Sequence, residues 1–521
     1  MKSFFEHWKR DLPSSLVVFL VALPLCLGVG LASTNVEGIA GMPNIFSGLI
    51  AGIVGGIVVG AVSGSRLGVS GPAAGLITII TAALVTLGSF EGFLVAVVIS
   101  GAMQLIAGFT GAGVLSRYFP SAVIKGMLAA IGITLILKEI PHAFGYDEDF
   151  MGDEAFSQID GHNTFTELFY ALKSLHPGAI TVSLLSIAVL ILFELPFMKR
   201  ISLFKILPGA LFVVLMGIGL NSILPSFGDS FAIGGKHLVT LPVPDSFSEF
   251  GNYLSFPDFS FLSNPDVYVI AITLALVGSL ETLLSVEATD KLDPDKHHTP
   301  TNRELKAQGV GNMISGFLGG LPITQVIVRS SANISTGAKT KLSTILHGVF
   351  LMCAVVFIPQ ILNLIPLASL AAILIMIGYK LAKIPLFKSM YKLGPEQYVP
   401  FITTIIGVLL TDLLKGIAIG IVFSIFYILR RNYRNNYTYT EIEKDGHKQL
   451  NIELFEEVTF LNKASILELL NGLEENERVI IDGSKCRAID HDTLEILQEF
   501  KRFGSKEKKI ELTVIGLPQL K

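Results

Sequence analysis

Between residues 14 and 430 the chain is a succession of apolar runs, most of them near twenty residues long, and this excludes an ordinary soluble fold. A bilayer-crossing helix needs about 20 apolar residues, because each residue rises about 1.5 Å through a hydrocarbon layer about 30 Å thick. Candidate spans centre on 15–34, 43–62, 93–112, 120–139, 179–197, 203–223, 266–287, 340–360, 363–383, 397–412 and 414–430. Three more runs, 72–88, 305–320 and 322–336, are short or broken by Gly and Pro, which brings the expectation to 14 segments. The first run, from Leu16, has no small-residue cleavage pattern behind it and reads as a permanent helix rather than a signal peptide.

Charge is scarce, 16% of residues against about a quarter in globular chains, and the deficit lies in the apolar part. The last ninety or so residues return to a soluble composition, so residues 1–434 read as a membrane domain and 435–521 as a small soluble one. A net charge of −4 singles out no partner and gives no reason to expect nucleic-acid binding. Cys26, Cys353 and Cys486 form no CxxC or Cys/His spacing, so neither a zinc site nor a disulfide framework is expected. His297 and His298, in a loop with Pro and Lys, read as solvent-exposed.

Loop charges give an orientation. Lys2, Lys9 and Arg10 place the N-terminus on the cytoplasmic side. An alternating path then puts Arg117, Lys199, Arg200, Lys205, the 291–306 basic group, Lys339, Lys341, Lys380 to Lys392 and Arg430, Arg431 and Arg434 inside. The acidic stretch 146–160, with Asp147, Asp153 and Asp160, falls outside. Both termini are expected in the cytoplasm of a bacterial inner membrane.

The two halves share an order. A span is followed by Val69-Ser70-Gly71-Pro72-Ala73-Ala74-Gly75, and half a chain later 266–287 is followed by Gly319-Gly320-Leu321-Pro322-Ile323-Thr324. Seven segments per half is odd, so the second copy lies upside down relative to the first. Interrupted segments at matching positions of inverted repeats point to a transporter binding site. Gly71, Pro72, Gly320 and Pro322 are expected to start two half-helices, whose free N–H groups and positive dipole ends attract an anion. Ala73, Ala74, Thr324, Gln325, Arg329 and Ser331 then line the anion site. Glu281, with Ser285 one turn on, is expected to bind a coupling Na+ or H+. A structural Glu281–Arg329 ion pair is the alternative. Glu287 and Asp290 read as solvated.

These residues carry a resemblance. Gly319-Gly320-Leu321-Pro322 through Arg329, Asn302-Arg303-Glu304-Leu305-Lys306-Ala307-Gln308-Gly309, Ala22-Leu23-Pro24-Leu25 and Val69-Ser70-Gly71-Pro72 together resemble the SulP anion transporters. The resemblance implies an all-α polytopic fold of seven plus seven inverted segments, with a core of segments 1–4 and 8–11 moving as an elevator against a gate. It also implies a substrate between segments three and ten, a homodimer, and sulfate, bicarbonate, chloride or dicarboxylates as cargo. The C-terminal part is similar to a cytoplasmic α/β STAS domain, with strands at 449–454, 479–484 and 510–515 and helices near 463–474 and after Asp490. Stand-alone STAS regulators often carry a phosphorylatable Ser where this chain has Asp492, which argues against a phosphorylation switch there.

The function expected is secondary active transport of bicarbonate or sulfate with Na+ or H+ coupling and no cofactor. Val328 before Arg329 departs from many sulfate-type members, and Glu281 stands where sodium-coupled bicarbonate members carry Asp. A dicarboxylate/proton symporter and a membrane-anchored STAS signalling protein are the alternatives. No nucleophile–base set points to an enzyme.

Overall fold

A computed structural model describes residues 6–34, 46–149, 151, 156, 163–195, 198, 208–241, 254–434, 437–444 and 447–517. The acidic residues Asp153, Glu154 and Asp160 and the basic group Lys199, Arg200 and Lys205 lie outside these. Contacts divide the chain into two units, Met1–Ile421 and Val422–Lys521.

The first unit is helical. It runs through α1 (Trp8–Thr34), α2 (Phe46–Val54, prolonged to Val62 by a π turn), a strand β1 (Ser70–Pro72), α3 (Ile77–Leu87), α4 (Phe90–Thr110), α5 (Ser121–Phe144), α6 (Thr164–Lys173), α7 (Pro177–Glu194) and α8 (Gly209–Ile223). The path continues with α9 (Pro265–Leu292), α10 (Thr301–Phe317), a strand β2 (Ile323–Gln325), α11 (Ile327–Ser335), α12 (Leu342–Phe357), α13 (Leu367–Leu381), α14 (Ile384–Lys392), α15 (Pro395–Leu410) and α16 (Leu413–Arg434). Among the described residues, eight helices are long and apolar enough to cross a membrane, and three shorter apolar helices accompany them. The protein is a multi-pass membrane protein. Ile106, Phe109, Leu184, Val269 and Leu276 stand exposed on outer helix faces, a liability in water and none in lipid.

Small residues set the packing inside. A Cβ at Gly101 of α4 would lie 2.7 Å from the Gly309 carbonyl of α10, and one at Gly309 would lie 2.6 Å from the Gly101 carbonyl. The backbones therefore touch, which only glycine permits, as expected of helix pairs in lipid. Gly132 and Gly378 bring α5 and α13 together in the same manner. α1 packs on α12, so the first helix of the chain is wedged beside a late one. Asp11 in its first turn is fully buried and accepts from the Lys339 N–H at 2.7 Å, the Thr340 N–H at 3.1 Å and the Thr340 hydroxyl at 2.5 Å. It thereby holds the chain just before α12.

The half-helix starts need a correction. Gly71 and Pro72 stand in β1, and α3 begins only after a 3-10 turn, Ala74–Leu76. Gly320 and Pro322 precede β2, and α11 starts at Ile327. The reason is long-range: β1 and β2 pair antiparallel, Ser70 with Gln325, Gly71 with Thr324 and Pro72 with Ile323, so Pro72 is held extended and Pro322 leads directly into a strand rather than a helix. Proline lacks the N–H that a ladder would use, and Pro72 sits at the end of its strand where none is needed.

The second unit holds a four-stranded sheet in the order β3 (Tyr437–Lys444), β4 (His447–Leu454), β6 (Arg478–Asp482), β8 (Glu511–Ile515), and a two-stranded sheet of β5 (Glu457–Val458) with β7 (Ala488–Ile489). β3 runs antiparallel to β4, and the other neighbours are parallel. α17 (Lys463–Asn471) and α18 (His491–Glu499) pack Ile466, Leu470 and Leu497 into one core with Ile452, Val479 and Ile481. This is an α/β layer, and it adds a strand, β3, that the sequence reading lacked. Contacts draw the unit boundary inside α16, where the described side chains from Val422 to Arg430 are largely exposed.

Candidate functional site

The β1–β2 ribbon is the centre of the first unit. The Val326 N–H donates to the Val69 carbonyl at 2.9 Å, and antiparallel alternation then makes Gly71 and Thr324 the next hydrogen-bonded pair. The Ser330 hydroxyl adds a stitch, accepting from the Val69 N–H at 3.0 Å and donating to the Val326 carbonyl at 2.7 Å. Ser331, the serine expected at the site, donates to the Val328 carbonyl of its own helix at 2.8 Å.

The donors now sort themselves. The Thr324 N–H falls in the ladder, and the Gln325 N–H donates to the Thr282 hydroxyl of α9 at 3.3 Å. Neither backbone group is a free helix end. The free ends are one step on: Ala73 before the first turn and Val326 before α11 are extended, and neither start has a side-chain cap. The first N–H groups of a helix have no intrahelical acceptor, so Ala74 and Gly75 on one side and Ile327 and Val328 on the other present open donors. Ala73 and Ala74 thus lie at an uncapped start, whereas Thr324 and Gln325 offer side chains. Thr324 is fully buried, and its hydroxyl has no hydrogen-bond partner among the described residues. Gln325 donates from Nε2 to the Thr289 hydroxyl at 3.0 Å.

Arg329 is buried at 1% exposure, and its Nε and Nη1 have no hydrogen-bond partner among the described residues. Its guanidinium occupies the space a Cβ at Gly71 would take, beside Cys26 of α1 and His347 of α12. A buried positive charge therefore stands behind the ribbon. Glu281 is also buried, and its carboxylate meets the other end of the same turn: a Cβ at Gly75 would lie 3.2–3.3 Å from both carboxylate oxygens. Arg329 and Glu281 reach β1 and its following turn at different glycines. Ser285 lies on α9 one turn past Glu281 and is buried with it.

A polar file on α10 supports the ribbon. Gln308 Nε2 donates to the Ser70 hydroxyl at 2.8 Å and to Glu304 Oε1 at 3.0 Å, and the Ser63 hydroxyl donates to the other Glu304 oxygen. Asn312, one turn on, grips Ile323 of β2. Glu304 and Gln308 enter the sequence analysis only within the motif that carries the resemblance, and Asn312 not at all, although the three recur every four residues on one helix face.

The loop after α9 also differs from expectation. Asp290 is not simply solvated but accepts from the Thr299 N–H at 2.6 Å and the Thr299 hydroxyl at 2.7 Å. His297 is half-buried and sits 2.7 Å from Asp293, whereas His298 is exposed. Asp293, Asp295 and His297 bring three donor atoms within 4.8 Å of one another. Asp295 already pairs with Lys339 at 2.7 Å, and Asp293 accepts from the N–H groups of Asp295 and His297, so these groups satisfy one another in closing the loop.

Comparison with known proteins agrees with this architecture. The sulfate permease family model matches residues 8–404. YvdB of Bacillus subtilis, named as a candidate sulfate transporter, is 25% identical over 483 residues, 91% of this chain and 85% of that protein. The bicarbonate transporter BicA of Picosynechococcus is 24% identical over 430 residues, 81% of this chain and 70% of BicA. The structure of the murine solute carrier 26 family member A9 anion transporter, in the inward-facing state, superposes with a TM-score of 0.65 over 98% of this chain and 85% of that one, at 14% identity.

Proposed function

The chain belongs to the sulfate permease family, whose members are transporters and not enzymes, and we propose that it is a secondary active carrier of a small oxyanion, bicarbonate or sulfate. The observation that carries this reading is the pair of uncapped helix starts at Ala74 and Ile327, joined by the β1–β2 ribbon and backed by the buried guanidinium of Arg329, whose Nε and Nη1 have no hydrogen-bond partner among the described residues. Backbone N–H groups and a buried positive charge together favour an anion, and Ala73, Ala74, Thr324, Gln325, Arg329 and Ser331 are the residues assigned to it. Glu281 and Ser285 are assigned to the coupling Na+ or H+, because the carboxylate borders the same turn at Gly75. The names of YvdB, a candidate sulfate transporter, and BicA, a bicarbonate transporter, support the two substrate candidates.

The rest of the reading goes with this assignment: 14 segments in two inverted sevens, an elevator motion of core against gate, a homodimer, and a bacterial inner membrane with both termini cytoplasmic. Residues 435–521 are read as a STAS domain on the strength of their α/β sheet. Uptake into proteoliposomes of labelled bicarbonate, sulfate and fumarate, under separate Na+ and pH gradients, tests the proposal. Accumulation of bicarbonate or sulfate under one gradient is expected. Preference for fumarate moves the assignment to dicarboxylates, and no uptake of any anion leaves a membrane-anchored signalling protein. A single cysteine placed at Asp153 is expected to react with an impermeant label from outside; labelling only from the cytoplasmic face overturns the orientation.

A further inference from the structure

The Asn312 side chain treats β2 as a neighbouring strand would. Its Oδ1 accepts from the Ile323 N–H at 2.6 Å, and its Nδ2 donates to the Ile323 carbonyl at 3.0 Å. A backbone N–H and C=O cannot exchange roles, so these two bonds fix which end of the amide is oxygen and which is nitrogen. The same Nδ2 donates to Gln104 Oε1 of α4 at 2.7 Å. With Oε1 committed, the amino end of Gln104 faces the other way.

That end faces α9. A Cβ at Gly278 would stand 3.3 Å from Gln104 Nε2 and 3.6 Å from Thr324 Cγ2, so Gln104 and Thr324 border the one gap that Gly278 leaves open. Gln104 and Asn312 are buried at 1% and 2% exposure. Thr324 turns its methyl to that gap, and the hydroxyl on the same Cβ is buried with no partner among the described residues, an arrangement that is costly unless a ligand completes it. Gly278 lies one helical turn before Glu281 on α9. The contact between α4 and α10 that puts Gln104 beside Asn312 is the glycine-to-glycine approach at Gly101 and Gly309.

We propose that Gln104 is a substrate-positioning residue: through Asn312 it holds β2 in place, and its Nε2 N–H groups, with the Thr324 hydroxyl, donate to oxygen atoms of the bound oxyanion on the α9 side. The inference rests on the anion-transport reading above and adds a residue from α4 to the site. It also gives a chemical basis for selectivity. Nε2 only donates, while the hydroxyl both donates and accepts, so the pair matches an oxyanion that carries a proton better than one that carries none.

Concentration dependence of bicarbonate and sulfate uptake in proteoliposomes, with thermal unfolding as the control for folding, tests this. Gln104→Glu replaces the donor end by a carboxylate oxygen. It is expected to raise the half-saturating concentration about ten-fold or more, the equivalent of one hydrogen bond to a charged group. Gly278→Ala pushes a methyl into the same gap from the opposite wall without touching Asn312, and a helix interior tolerates alanine well. It is expected to raise half-saturation while the maximal rate changes less, and to lower the preference for bicarbonate over sulfate. A folded Gln104→Glu protein with the parent's half-saturation overturns the proposal. Where Gln104→Glu does not fold, Gly278→Ala with the parent's half-saturation overturns it. A fall in maximal rate alone, in either variant, marks a structural role and overturns it equally. A parent protein that takes up no anion defeats the transport reading instead, and that result needs no variant.

Discussion

Glu281 sits where its charge has consequences for movement. It is buried on α9 with its carboxylate against Gly75, at the first of the two open helix starts. On the proposed reading, a bare carboxylate beside the donors assigned to the anion would compete with the substrate, and carrying it through a low-dielectric layer is costly. A bound Na+ or H+ removes both problems, so the cation and the anion are expected to travel together. Glu281→Gln mimics the protonated state. It should abolish accumulation under an imposed gradient while anion-for-anion exchange persists; accumulation equal to the parent's would reduce Glu281 to a packing role. Sequence alone showed Glu281 and Arg329 because a charge in an apolar run is conspicuous. It did not show Gln104, an uncharged amide with no periodic partner on α4, nor that Gly71 exists to admit the Arg329 guanidinium.

Among the elements, the segments nearest the ends of helices were the hardest to read. The full-length spans were legible from length and apolarity, and α10 was legible as a helix, but nothing local in its polar file points to the ribbon it supports. The two half-helices start two to five residues later than their prolines suggest, because β1 and β2 pair across half the chain and local sequence carries no trace of a partner so distant. A second such meeting ties the end of α5 to the turn after α8. Asp147 accepts or shares protons with His142 Nδ1 at 2.5 Å and His237 Nδ1 at 2.6 Å, and its side chain is 2% exposed. Burial pushes the Asp147 carboxyl upward, but the hydrogen bonds and charge of His142 and His237 outweigh it and hold the group below the ordinary carboxylate range. The stabilisation from this clasp is therefore complete above the unfolded value of about 3.9 and is lost as pH falls through the lower, folded value. Asp147→Asn should lower stability by about 1–3 kcal/mol at neutral pH. Thermal unfolding of the two proteins in detergent should begin to converge as pH falls below about 4 and meet only beneath the folded value, and a difference constant across that range would contradict the assignment.

At the scale of the molecule, composition separated the membrane part from the α/β tail, and the family match covers the membrane part up to residue 404. The strand β3 and the sheet order of the tail needed the three-dimensional pairing, since an edge strand with alternating Tyr and Thr resembles a polar linker on the page. The ribbon of β1 and β2 has the widest reach. It fastens the two open helix starts to each other through Val69, Gly71, Thr324, Val326 and Ser330. On the proposed transport reading, starts fastened so would stay together during transit, and the cargo would meet one unaltered set of donors whichever compartment it came from. In an elevator, such a carrier is thermodynamically even-handed: intrinsic affinity measured from the lumen and from the outside of a vesicle should be the same, and any directionality must come from the gradient rather than from the site.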